Sequence, residues 1–179
     1  MSKNILIVSA SLRKNSNSDA LANAFAEGAQ AAGHQVEKIS LIGKTVNFCR
    51  GCLACQTTGK CILKDDAVAI EEMALKADVL VFATPIYYYE MCGQLKTLLD
   101  RLNPLYPKDY QFREVYLLSA AADTAEATPI RALNGLGGWV ECFPKAELKN
   151  SLFCGGVTDI GDIAGSPKLQ EAYEMGKNC

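Results

Sequence analysis

The chain has 179 residues, enough for one domain with a proper buried core. Hydrophobic residues make up 49% and charged residues 21%, ordinary values for a globular protein. A formal net charge of −2 excludes a dominant nucleic-acid surface, which needs a basic excess, and fits poorly with a strongly acidic carrier built to dock on basic partners.

The predicted elements alternate along the chain. Ile5, Leu6, Ile7 and Val8 form a continuous apolar run bounded by polar residues, the pattern of a strand covered on both faces. Leu21, Ala24, Phe25, Gly28 and Ala32 then follow helical spacing, with Asp19 or Ser18 as the cap and Gly33 closing the end. Residues 36–41 read as a second strand through Val36, Ile39 and Leu41. Residues 43–64 carry four cysteines and little periodicity, a long loop of the kind that is usually functional.

A helix is expected from about Asp66 to Lys76, with Asp65 as its N-cap. Residues 78–83 give the third strand, residues 84–92 a loop, and Leu95, Leu98, Leu99 and Leu102 the stripe of the next helix. Lys96 and Asp100 on that helix are spaced for a surface ion pair. Residues 115–119 give the fourth strand, followed by a small-residue loop and a helix begun near Pro129. Residues 148–154 supply a fifth strand, residues 155–165 a glycine-rich link, and Ser166 and Pro167 open a final helix to about Lys177.

Such alternation implies a parallel sheet with helices on both faces, doubly wound in the order 2-1-3-4-5, as one domain over residues 1–179. No stretch approaches the roughly 20 apolar residues of a membrane span. The first apolar run stops at Val8, too short for an export signal, so the expectation is a cytoplasmic protein without membrane partners.

Ligands of such sheets lie beyond the carboxyl ends of the strands. After the first strand, Ser9, Ser11, Ser16 and Ser18 supply hydroxyls, Asn15 and Asn17 amides, and Arg13 and Lys14 charge, around a helix N-terminus that favours an anion. The loop has neither the G-x-G-x-x-G nor the G-x-x-x-x-G-K-[ST] pattern, and by itself it also fits an ordinary polar connection with a serine cap. After the third strand, Pro85, Ile86, Tyr87, Tyr88 and Tyr89 suit a flat amphipathic ring, or simple packing over the next helix. Three consecutive tyrosines are hard to bury with satisfied hydroxyls, which favours a site. After the fourth strand, Ser119, Ala120 and Ala121 allow close backbone approach.

Of eight cysteines, Cys49, Cys52, Cys55 and Cys61 follow C-x2-C-x2-C-x5-C. Two-residue spacings let successive thiolates converge on one centre, with a fourth ligand closing the shell. Zinc fits less well, because four-thiolate zinc sites usually use two separated pairs. Free thiols or a disulfide are the other readings. The single histidine, His34, follows Gly33 in a turn and disfavours histidine-dependent triads.

Together these segments carry a resemblance. The stretch SASLRKNSNSDALA resembles the phosphate loop of flavodoxin-like NAD(P)H-dependent FMN reductases, and ATPIYYYEMCGQLKTLLDR resembles their second flavin loop and the helix after it. CRGCLACQTTGKCILKDD resembles the cysteine loop of a branch that includes the iron–sulfur flavoproteins, and GDIAGSPKLQEAYEMGKN looks like the tail of that branch. The strand order is that of flavodoxin, which holds FMN at the switch point between strands 1 and 3.

The resemblance implies FMN, NAD(P)H as electron donor, a small acceptor such as a quinone or free flavin, and homodimers or homotetramers. By it, Ser9, Ser11, Arg13, Ser16, Asn17 and Ser18 bind the FMN phosphate. Pro85, Ile86, Tyr87 and Tyr88 contact the ring or ribityl chain, and Ser119 and Ala120 complete the pocket. Chemistry then belongs to the flavin and needs no catalytic side chain. Cys49, Cys52, Cys55 and Cys61 would hold a [4Fe–4S] cluster, although the pattern occurs in the family with and without one. With a cluster the protein would be an iron–sulfur flavoprotein serving a protein partner; a flavodoxin-type carrier and a thiol- or metal-based sensor are the other classes. If the site forms between subunits, residues 155–165 would reach a neighbour's pocket.

Overall fold

The computed structural model describes residues 1–179. In chain order they form β1 (Asn4–Ser9), α1 (Asn17–Ala31), β2 (Gln35–Ser40), α2 (Ala54–Thr58), α3 (Asp66–Lys76), β3 (Val79–Tyr87), β4 (Glu90–Met91), α4 (Gly93–Arg101), a 3-10 turn (Asn103–Leu105), β5 (Glu114–Ala120), α5 (Ile130–Glu141), β6 (Glu147–Cys154) and α6 (Pro167–Lys177). Five strands run parallel in the order β2-β1-β3-β5-β6, and β4 pairs antiparallel with the end of β3. Leaving that short strand aside, the order is the expected doubly wound, flavodoxin-like one.

The apolar runs divide by strand periodicity. Ile5 and Ile7, Val79 and Val81, and Tyr116 and Leu118 face α1 and α6. Leu6 and Val8, Leu80 and Phe82, and Val115 and Leu117 face α3, α4 and α5. Each central strand is buried on both sides, which is why it reads as an unbroken apolar run.

Three boundaries differ from expectation. Ser16, rather than Ser18 or Asp19, caps α1, its hydroxyl accepting the Asp19 N–H at 3.2 Å. β3 continues past Ala83 because Thr84 and Pro85 stay in register with Ser119 and Ala120, and Ile86 and Tyr87 turn back against Met91 and Glu90. The cysteine loop contains a short helix, α2, entered through a left-handed Leu53 (φ 57°) and left through Gly59 (φ 68°).

Helices α1 and α6 cross at two glycines. A Cβ on Gly28 would lie 1.9 Å from the Tyr173 carbonyl oxygen, and one on Gly176 would lie 2.0 Å from that of Phe25. Backbone meets backbone there, so no side-chain movement can relieve an added methyl. Gly28→Ala and Gly176→Ala should each lower stability by about 1–3 kcal/mol, read as a lower urea midpoint at unchanged slope. Gly138→Ala, where a Cβ meets nothing within 4 Å, should leave the midpoint unchanged or raise it.

Candidate functional site

The strand order reverses between β1 and β3, and a cavity of about 650 Å3 opens above their carboxyl ends. One wall is the start of α1. Ser11, Arg13, Ser16, Asn17 and Ser18 line it, and all but Arg13 are buried. The Ser16 and Ser18 hydroxyls lie 3.3 Å apart. The first-turn N–H groups of Asn17 and Ser18 have no intrahelical partner, so the wall offers N–H and O–H donors beside the positive end of the helix dipole.

Pro85, Ile86 and Tyr87 form the opposite wall, and Ala120, Ala121 and Ala122 the floor. The chain reverses beyond Tyr87 through Tyr88 and Tyr89, both left-handed at φ 52° and 66°. Non-glycine residues hold that conformation at a cost of about 1–3 kcal/mol each. The Arg131 guanidinium braces the turn, 5.8 Å from the centre of the Tyr89 ring. Behind the wall, the Thr84 hydroxyl accepts the Cys92 N–H at 3.1 Å and fixes the start of α4.

The structure therefore gathers Ser11, Arg13, Ser16, Asn17, Ser18, Pro85, Ile86, Tyr87 and Ala120 around one cavity. Three expected residues lie outside its lining. Ser9 is buried within β1, Tyr88 points to solvent at the turn, and the Ser119 hydroxyl donates to the Leu152 carbonyl of β6 at 3.3 Å.

The far wall, Val157 to Ile160, was not expected in this chain's own site. Within this chain, residues 157–160 of the glycine-rich link line the cavity. Arg13 Nη1 donates to the Thr158 carbonyl at 2.8 Å and Asn17 Nδ2 to the Asp159 carbonyl at 2.9 Å. The Asp162 carboxylate accepts the Thr158 and Asp159 N–H groups at 2.8 and 2.7 Å, bonds that hold its pKa below the usual carboxylate range. The available signal was position: this glycine-rich link also follows a strand's carboxyl end, so the rule that selected the other three loops selects it too.

The cysteine loop forms a second centre on the same side of the sheet. Cys49, Cys52, Cys55 and Cys61 all line one cavity of about 390 Å3, shared with Arg101, Asn103 and Pro104. No two of the eight cysteines are joined by a disulfide in this arrangement. No three ligating side chains converge on one point in this arrangement. The sulfurs do have donors: Asn103 Nδ2 lies 3.1 Å from Cys55 Sγ, and the Gly51 N–H 3.5 Å from Cys49 Sγ.

One buried ion pair anchors this loop. Arg101 Nη1 and Nη2 bind Asp65 Oδ2 and Oδ1 at 2.6 and 2.9 Å, with side chains only 1% and 3% exposed. Asp65 also caps α3 and accepts the Asn47 N–H and Nδ2 groups at 2.9 and 2.8 Å. Burial pushes the Asp65 carboxyl up, but the Arg101 and Asn47 bonds outweigh it and hold it well below the usual range. The expected Lys96–Asp100 surface pair is also present, at 2.7 Å. His34, far from both centres, accepts the Lys3 N–H at 3.1 Å.

Residues 3–140 match the family described as NADPH-dependent FMN reductase. The chain belongs to that family. It is 32% identical over 92 residues to an iron–sulfur flavoprotein of Archaeoglobus fulgidus, covering 51% of this chain and 42% of that one. It is 24% identical over 152 residues to an iron–sulfur flavoprotein of Methanosarcina thermophila, covering 84% and 80%. The chain spans about half the length of several such relatives. An NAD(P)H:quinone oxidoreductase from Methanothermobacter marburgensis shares the fold, with a TM-score of 0.77 at 22% identity over 99% of this chain and 96% of that one. In this FMN reductase family member, no helix is long and apolar enough to cross a membrane.

Removing the Asp65 charge should be costly, because it leaves Arg101 buried and unpaired. Asp65→Asn should lose about 3–5 kcal/mol. A carboxyl depressed in the native state stabilises above its unfolded pKa, about 3.9, and that contribution drains away as pH falls below it. The gap in urea midpoint between wild type and Asp65→Asn should therefore be constant from pH 7 to 5 and shrink below about pH 4.

Proposed function

We propose that this chain is one FMN-binding domain that accepts electrons from NAD(P)H and passes them to a small acceptor such as a quinone or a flavin. The observation that carries this is the cavity at the β1/β3 reversal, which pairs an anion-binding helix start with a stiff apolar wall.

The residues present fit FMN. Ser11, Ser16, Ser18 and the first turn of α1 match a phosphate, and Arg13 supplies the nearby positive charge. Pro85, Ile86 and Tyr87 would hold a flat ring, and the alanine floor admits it close to the backbone. FMN supplies hydride and single-electron chemistry when bound. The protein's part is to orient it, to shield one ring face and to leave the other open, where Tyr87 is half exposed. No histidine is near, and no side-chain acid or base is assigned.

The cysteine cavity favours a second element of the reading. Cys49, Cys52, Cys55 and Cys61 would hold a [4Fe–4S] cluster, with Asn103 and the Gly51 N–H donating to sulfur. Such a cluster supplies one-electron transfer, which opens the alternative of a protein partner as acceptor. Leu12, Tyr87, Tyr88 and Ile160, exposed near the mouth of the first cavity, would be covered in a homodimer or homotetramer.

The test is uptake of FMN by protein purified without oxygen. Two flavin absorption bands that bleach with NADPH or NADH support the reading, and protein that takes up no FMN sinks it. Arg13→Ala and Ser18→Ala should each weaken FMN binding by about tenfold, measured by flavin fluorescence, since each removes a donor to a charged group.

A further inference from the structure

Arg101 is the largest fully buried side chain in the molecule, at 2% exposure. Its two terminal nitrogens are saturated. Nη1 serves Asp65 and the Asn47 carbonyl at 2.6 and 2.9 Å, and Nη2 serves Asp65 and the Leu63 carbonyl at 2.9 and 3.4 Å. Nε has no acceptor, and it is the one buried side-chain nitrogen or oxygen in the chain left without a partner. A buried donor left unpaired is costly, so it calls for an acceptor. Arg101 also lines the cavity that all four loop cysteines share. Burial pushes the Arg101 pKa down, while Asp65 and, after it, Cys61 push it up and outweigh burial.

Cys61 is also the sulfur that local spacing places least well. Cys49, Cys52 and Cys55 follow one another with two residues between each, so short stretches of chain set their mutual positions. Cys61 arrives from beyond α2 and needs a fixed point outside the loop. Arg101, held rigid by its fork on Asp65, is such a point.

We propose that Arg101 is a positioning residue for the group the cysteines hold, its Nε–H donating to the Cys61 sulfur once that sulfur is a metal-bound thiolate. The inference rests on the four-thiolate reading above. With Asn103 on Cys55, two of the four sulfurs then take a side-chain donor from the α4 end of the cavity. Such bonds strengthen as the centre gains negative charge, so they favour its reduced form. A lysine keeps the charge but cannot serve Asp65 in a fork and Cys61 together.

The test is anaerobic reconstitution of wild type and Arg101→Lys with iron and sulfide, followed by iron and sulfide analysis and a spectroscopic reductive titration. FMN uptake reports on the intact fold. The expected result is a loaded wild type and a loaded variant whose reduction equilibrium is shifted about tenfold towards the oxidised form, 59 mV for one electron. Equal potentials with equal loading overturn the role of Arg101 and leave the cluster reading standing. A wild type that takes up FMN but no iron or sulfide overturns the four-thiolate reading, and this proposal with it. Should Arg101→Lys fail to fold, wild type alone decides through its assigned Arg101 Nε–H resonance in 15N-labelled protein. A shifted, slowly exchanging proton on loading supports the bond, and an unchanged one refutes it.

Discussion

The strand reversal between β1 and β3 is the constraint on which the rest of the molecule depends. At that point the chain leaves β1 towards one edge of the sheet and β3 towards the other, and the loops beyond them part. Nothing in a parallel sheet can fill the gap with backbone hydrogen bonds. The donors of α1 and the stiff Pro85–Ile86 segment therefore face each other across it. The return loop of residues 157–160 is tied down by the Arg13 and Asn17 side chains and closes the third side. The cysteine loop leaves the end of β2 on the same side of the sheet.

Within that frame, Arg101–Asp65 fixes the part that topology leaves free. A stretch of more than twenty residues with one short helix has little to hold it, and its cysteines are mostly near the surface. A buried ion pair is by itself weak evidence of stability, because desolvation cancels much of the attraction. Here the charges are surrounded by further partners: the α3 cap, the Asn47 amide and two loop carbonyls. The pair joins α3, α4 and both ends of the cysteine loop at one point. Geometry, more than net energy, is what it contributes.

Much of this was legible in the sequence because buried parallel strands announce themselves. The runs at Ile5–Leu6–Ile7–Val8 and Val79–Leu80–Val81–Phe82 admit few other readings, and Asp65 and Ser166 stand where helix caps belong. Where the reading slipped, long-range contacts decided. Proline at position 85 looked like a strand end, yet pairing with Ala120 carries β3 past it. Ser9 and Ser119 look like ligands by composition, but alternation along a strand turns them away from the cavity. Asn17 looked like a phosphate ligand only; its amide also holds Asp159 and Ile163, some 145 residues on, which no local pattern reveals. The role of Arg101 was hidden for the same reason, since arginine is ordinarily a surface residue.

The glycine crossing of α1 and α6 also has a consequence for how the molecule is made. The helix whose first turn lines the cavity, α1, is packed against α6. The apolar stripe of α1 around Phe25 and Ala29 rests on the sheet, where Phe25 meets Tyr116 edge-on at 5.4 Å, but its cover is complete only once residues 167–177 are available. The opposite face, built from α3, α4 and α5, can close earlier from nearby segments. Shortening α6 would therefore be felt at α1, about 140 residues earlier in the sequence.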